Sequence, residues 1–345
     1  MPVLAGLSAI MLAVLILPFS VKKVEEQLEI FLFIMGCAAV TLTSQWSAGL
    51  VKEALLEPLK ISAAVLVAGL LFNLLKNPIR KHLNSLISFT GMRAFIFLLI
   101  VLLGLLSSVI TAIIAALLLV EIIGHLKLER KAEIKVVVMA CFSIGMGAAL
   151  TPLGEPLTTI AIAKLKDLTP PAGFWFFVKH LGPQIILGVI GIGIATIFVA
   201  GKLSRLGHGL KEENLENAKD ILVRTAKVYL FVMALVFLGT GFKPIVDEYA
   251  SKISYQLLYW LNMVSAILDN ATLTAAEISP KMSLLQIKSA ILGLIIAGGM
   301  LIPGNIPNII SAGKLKIKSR EWAAVGIPVG LAIMLIYFVL IEVLA

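Results

Sequence analysis

"SAILDNATLTAAE" (residues 265–277) places Asp269, Asn270, Thr272, Thr274 and Glu277 within nine positions of a strongly apolar stretch. The chain around it has 345 residues, 59% of them apolar and 14% charged, with a mean hydropathy of +1.02. That is more apolar surface than a soluble core of this length can hide, so the sequence reads as an all-α polytopic membrane protein. Its apolar runs match the roughly 20 residues that cross a hydrocarbon core about 30 Å thick. A carboxylate and an amide inside such a run need a reason.

Hydropathy gives runs at about 2–21, 28–46, 60–76, 94–126, 135–165, 180–200, 222–242, 253–280, 284–313 and 322–344. Four of these are too long or too broken for one plain helix. Ser107, Ser108 and Thr111 interrupt 94–126, and the quoted stretch interrupts 253–280. "TPLGEPLTT" (151–159) lies within 135–165, and "IPGNIPNIIS" (302–311) within 284–313. Gly and Pro end helices and free backbone groups that hydrocarbon cannot satisfy. Such breaks persist only inside protein or beside a wet cavity.

The interruptions recur in order. "LSSVITAIIAALLLVEI" (106–122) precedes "VSAILDNATLTAAEISP" (264–280) by 158 residues, and "GEPLTTIAIAKLK" (154–166) precedes "GNIPNIISAGKLK" (304–316) by 150. Two halves follow, repeat 1 over 60–200 and repeat 2 over 222–345. The N-terminal helices in 1–59 form an added scaffold, and a linker at 201–221 joins the halves.

Lys and Arg concentrate on the cytoplasmic side of membrane proteins. If 94–126 and 253–280 turn back as re-entrant hairpins, one side collects about two thirds of the 29 Lys and Arg residues; single crossings split them almost evenly. The hairpin topology leaves three crossings per half, which inverts the second half relative to the first, as in many secondary transporters. The expected architecture is about eight crossings plus two hairpins, with a broken helix in each half (135–165 and 284–313) and both termini outside. "SAGLVKEALLEPLK" (47–60) is expected on the outer surface. The linker is expected in the cytoplasm. Pro2–Val21 lacks a basic leader and reads as a retained helix, so the chain is expected in a plasma membrane of prokaryotic type.

The hairpin tips and helix breaks are expected to converge. An ionised Asp near the bilayer centre costs at least about 2.5–3.5 kcal/mol, so Asp269 calls for a proton, a cation or a partner. The structural alternative is an Asp that caps the second hairpin leg through amides near Thr272. Asn270, Thr272, Ser107, Ser108 and Thr111 add neutral oxygens at the tips, and hard oxygen ligands suit Na⁺ better than a transition metal. Glu155, between Gly154 and Pro156, is the second intramembrane carboxylate and the second Na⁺ candidate. Asn305 is its counterpart at the 150-residue offset, and Thr158 and Thr159 align with Asn308. Glu121 and Glu277, roughly 15 Å and 12 Å beyond the tips at 1.5 Å per residue, read as interfacial.

Trp46, Trp175 and Trp322 read as interfacial anchors, and Lys227 as a snorkelling side chain. Cys37 and Cys141 lie in apolar runs, which argues against a disulfide framework. The net charge of +9 is spread over loops and does not point to nucleic acid. Enzyme readings lack their motifs: there is no H-E-x-x-H, no G-x-S-x-G and no phosphate loop. No cofactor is expected beyond transported Na⁺ (or Li⁺) and H⁺.

"SAILDNATLTAA" (265–276) resembles the S-A-x-x-D-N-x-x-x-x-A-A stretch of the NhaD and ArsB-like sodium/proton antiporters of the ion transporter superfamily. "GEPLTTI" (154–160) is similar to their first-half G-D-x-T-T-T stretch, with Glu155 in place of Asp. "GNIPNIIS" (304–311) resembles breaks found across the superfamily, and the order of elements is similar to a small, uncharacterised family of cation transporters. The resemblance implies Asp269 and Asn270 as an ion-binding pair, with Glu155, Thr158 and Thr159 as the first-half site. It also implies homodimers and elevator-like movement. Thr111-Ala112 stands where those antiporters often carry Asp-Asn, which leaves the number of ions and protons open. The expectation is a secondary active cation transporter, Na⁺/H⁺ exchange first and Na⁺-coupled symport of a small carboxylate or oxyanion second.

Overall fold

The computed structural model describes residues 2–21, 23–24, 27–56, 58–59, 62–63, 66, 89–126, 128–199, 218–249, 253–268 and 270–344. Among them the fold is all helical, with no β-strand. The helices are α1 (Pro2–Ser20), α2 (Leu28–Leu42), α3 (Met92–Ile110), α4 (Ala112–Leu126), α5 (Arg130–Ala148), α6 (Pro156–Lys164) and α7 (Phe176–Val199). They continue with α8 (Ala218–Tyr249), α9 (Tyr255–Leu261), α10 (Asn270–Glu277), α11 (Leu284–Gly298), α12 (Ile306–Lys314) and α13 (Ser319–Leu344). Among the described residues, four helical segments are long and apolar enough to cross a membrane: Met92–Ile110, Phe176–Val199, Thr225–Phe242 and Ser319–Val343. Shorter apolar helices include Leu28–Leu42, Ala112–Leu126 and Leu284–Gly298. Nearly all of the apolar run expected at 60–76 and most of the linker at 201–221 lie outside the described residues.

The centre of the molecule is the pair α5 and α11. From Val136 to Ala148, and from Ser289 to Gly298, every residue is buried. A helix apolar all round belongs in a core, not on a surface. Ser283 and Gln286 start α11 with a capping box. Each central helix is lined by the second helix before it, α3 along α5 and α9 with its following 3₁₀ turn (Asn262–Ala266) along α11. The contacts repeat in register. Ser107 Oγ lies 2.9 Å from Ile144 O, and Ser265 Oγ donates to Leu294 O at 3.2 Å, which are the two sequence offsets of 158 and 150 residues.

The shorter helices pair crosswise. α4 packs on α12 through Ile113, Ala116 and Leu117 against Ile306 and Ile310, while α10 packs on α6. At one end of the molecule, Lys314 Nζ meets Glu121 Oε2 at 2.7 Å. Beside it Arg130 donates to Leu315 O and Lys316 O, both at 2.9 Å, and to Glu321 Oε2 at 3.2 Å. The guanidinium supplies donors that the last carbonyls of α12 lack within their own helix.

Several sequence expectations change. Trp322 is fully buried and donates Nε1–H to Gly299 O at 3.2 Å, so it closes the end of α11 and is no interfacial anchor. Trp46 and Trp175 are exposed. Lys227 does not snorkel alone but pairs with Glu29 at 2.6 Å. The segment after Trp46 is an amphipathic helix over 48–56: it buries Leu50 and Ala54 against Phe237, leaves its other residues exposed, and receives Tyr229 Oη–H on Leu55 O at 3.0 Å. It therefore runs back along α8. Glu277, expected at an interface, is 6% exposed within the protein.

α2 and α8 lie side by side at close range, because Gly36 lets Ala234 and Phe237 approach its backbone. A Cβ at Gly36 would stand 2.8 Å from Phe237 Cβ and 2.9 Å from Ala234 O. Small residues serve this purpose between membrane helices. Gly36→Leu is expected to push the pair apart and cost about 1–3 kcal/mol. A lower melting temperature in detergent, with Ile34→Leu on the exposed face as the unchanged control, checks it; equal melting of both variants contradicts the close packing.

Candidate functional site

Two breaks interrupt the paths of the central helices. After α5, the chain turns through 149–155 and restarts as α6; after α11 it turns through 299–305 and restarts as α12. The restarts match closely. α6 and α12 have nine residues each, with Pro156 and Pro307 in their first turns. Their N-caps are Glu155 (φ −154°, ψ 158°) and Asn305 (φ −155°, ψ 149°), both buried. Pro is tolerated there because the first helical amides have no intrahelical partner to lose.

Each turn folds tightly onto the end of the helix before it. A Cβ on Gly154 would collide with Ala148 O, and one on Gly304 would stand 2.5 Å from Gly298 O and 2.8 Å from Ser265 O. The contacts pull the tips onto the breaks. Ala112 N donates to Gly154 O at 2.9 Å, joining the start of α4 to the first break. Thr151 Oγ1 donates to Ser108 O. Gly304 meets Ser265 in the second tip, and Asn305 Nδ2 lies against Gly145 of α5. The N-termini of α4, α6 and α12 thus gather around the two breaks.

Several of the expected residues serve the backbone. Ser107 lies within 2.6 Å of Gly104 O as well as near Ile144 O, Ser108 donates to Leu105 O at 2.7 Å, and Thr159 donates to Pro152 O at 2.6 Å. Asn305 Oδ1 accepts from Ile306 N at 2.8 Å. Asn308 Nδ2 spans the second break, 2.8 Å from both Gly298 O and Leu301 O. Other polar atoms are left over: Thr158 Oγ1, Asn308 Oδ1 and Asn270 Nδ2 are buried with no hydrogen-bond partner in the structure. Buried polar atoms of this kind call for water or an ion. Glu155 is buried as well, at 6% exposure. Asp269 and the side chain of Thr272 lie outside the described residues, so their placement is known only through Asn270, the first residue of α10. Among the described residues, no group of three or more His, Cys, Asp or Glu side chains converges.

Three residues that sequence reasoning passed over belong to the same framework. Ser265 stands 158 residues after Ser107 and makes the equivalent contact, so the repeat offset could have found it. Thr151, at the start of the first break, and Asn262, whose Nδ2 donates to Ala290 O at 3.1 Å, carry no such signal.

Residues 4–344 match the family described as "Protein of unknown function (DUF1646)". The chain belongs to that family. No curated protein matches it at the significance required. Membership therefore covers nearly the whole chain, both breaks and both polar tips included, and leaves the chemistry to be argued from the site.

Thr111 joins α3 to α4 at φ 78° and ψ 149°, a left-handed backbone that disfavours a β-branched side chain. Such strain costs on the order of 1–3 kcal/mol. The Ala112–Gly154 bond holds the chain there. Thr111→Gly is expected to raise stability by about 1 kcal/mol once glycine's greater unfolded-state freedom is subtracted. Thermal melting in detergent reads this directly, and a lower melting temperature would show that the Thr111 side chain makes contacts worth more than the strain.

Proposed function

We propose that the protein is a secondary active cation transporter that exchanges Na⁺, or Li⁺, for H⁺. The observation that carries this reading is Glu155: a buried carboxylate that begins a half-helix inside the core, on the helix against which α10 packs, directly after Asp269 in sequence. Asp269 and Glu155 supply the charge, Asn270, Thr158 and Asn308 the neutral ligands. Ser107, Ser108, Thr111, Thr159, Thr272 and Asn305 shape the tips and breaks. Na⁺ and protons compete for the carboxylates, and alternating access exposes them to each side in turn.

On this reading the pieces form two inverted repeats, 60–200 and 222–345. The hairpins 94–126 and 253–280 are re-entrant, 1–59 is scaffold and 201–221 a cytoplasmic linker. The crosswise pairing of α4 with α12 and of α10 with α6 supports it, because each tip then moves with the other half's broken helix. Elevator-type movement within a homodimer, and termini outside a plasma membrane, belong to the same proposal.

A second reading, Na⁺-coupled symport of a small anion, is favoured by one observation: three helix N-termini gather at the breaks, and such ends attract negative charge. Reconstitution in liposomes with an internal pH-sensitive dye separates the two. Na⁺ or Li⁺ gradients are expected to drive proton flux that Asp269→Asn abolishes and Glu155→Gln lowers at least tenfold. Full flux in Asp269→Asn removes that residue from the mechanism. Silence of sealed, protein-containing vesicles towards every cation shifts the assignment to symport, tested with labelled carboxylates and oxyanions.

A further inference from the structure

We propose that Glu277 is a second proton-binding site, set inside the second hairpin and separate from the central carboxylates. Its role in exchange rests on the function proposed above, but its existence does not. Glu277 ends α10, is 6% exposed, and its Oε2 has no hydrogen-bond partner in the structure. The side chain of Asn262 faces it from the 3₁₀ turn, itself tied to α11 through Ala290 O. Ser289 is fully buried one turn before Gly293, the residue of α11 that touches Tyr259 and Asn262, and its Oγ is also unpartnered. At the sequence offsets the first half fills these three positions with Leu119, Gly104 and Met139, all buried. The fold can thus be packed dry at this place, and the second half instead carries a carboxyl, an amide and a hydroxyl.

An ionised carboxylate in such surroundings needs a partner or takes up a proton. Among the described residues, no titratable group on the elements around it forms an ion pair with it. Glu155 and Lys164 lie on α6, Lys288 on α11 and Lys227 on α8, where Lys227 is bound to Glu29. Lys281, four residues on, is exposed. Lys219, Asp220, Arg224, Lys243, Asp247 and Glu248 of α8 have side chains outside the described residues, as does Asp269. A proton is a ligand that the carboxyl can hold by itself, whereas a hard cation draws on several oxygen ligands at once.

Infrared difference spectroscopy on the purified protein in lipid, stepped from acidic to alkaline pH, tests this without transport. The expected result is a protonated-carboxyl carbonyl band that disappears as pH rises and is missing in Glu277→Gln. Glu277→Leu copies the first half's Leu119, is expected to fold with unchanged melting, and also lacks the band. An identical pH-dependent band in wild type and both variants overturns the proposal, as does the absence of any band that depends on Glu277. In liposomes, Glu277→Gln is expected to move fewer protons per cation than wild type while Na⁺ still stabilises it against heat. Wild-type silence in that assay counts against the exchange reading alone, because the infrared result stands apart from it.

Discussion

Hydrocarbon offers no hydrogen-bond partner to a backbone amide or carbonyl, and this chain interrupts its helices at two breaks and two tips. Every interruption must therefore be satisfied by protein or by water in a cavity the protein encloses. The first tip is tied to the first break through Ala112 N and Gly154 O, and Asn308 bridges two carbonyls across the second. Arg130 takes the carbonyls where α12 ends. These bonds require close approach, which explains glycine at 154 and 304, where any side chain would meet the preceding helix. They also require shelter, which explains why α5 and α11, leading into the breaks, are buried on all sides.

The breaks were legible because Gly and Pro leave the backbone few alternatives. Glu155 and Asn305, paired by a 150-residue offset alone, turn out to be N-caps with nearly the same dihedral angles. Ser107 was legible as a polar interruption, but not as a clamp on Ile144 O, since that depends on where α5 lies. The crosswise pairing of the short helices was likewise hidden, because nothing local in the sequence says which partner each prefers. Composition misled at Trp322, where an indole near a run end is more often an anchor than a buried donor to Gly299 O. At 47–60 the charges marked an exposed strip, while the packing face that Leu50 and Ala54 carry against Phe237 depends on where α8 lies. The left-handed backbone of Thr111 had no sequence signal, because a threonine there runs against preference.

The gathered helix ends set the charge that any occupant must balance. Each helix N-terminus acts as roughly half a positive charge, so the three contribute about +1.5 against about −2 from the ionised forms of Asp269 and Glu155, the carboxylates proposed as ligands. The empty site on that reading carries about −0.5. One monovalent cation takes it to about +0.5, and a second in the same dry space is opposed by the first and by the helix ends together. On the exchange reading, competition between Na⁺ and a proton follows from that arithmetic with no special device. An anion could follow a bound Na⁺ on charge alone, so the neutral groups decide between the readings. Of the three buried atoms left without partners, Thr158 Oγ1 and Asn308 Oδ1 are oxygens that can accept a cation's charge, and only Asn270 Nδ2 offers a donor to an anion. On the exchange reading that donor has a task as well, holding a carboxylate in place whenever the cation has left.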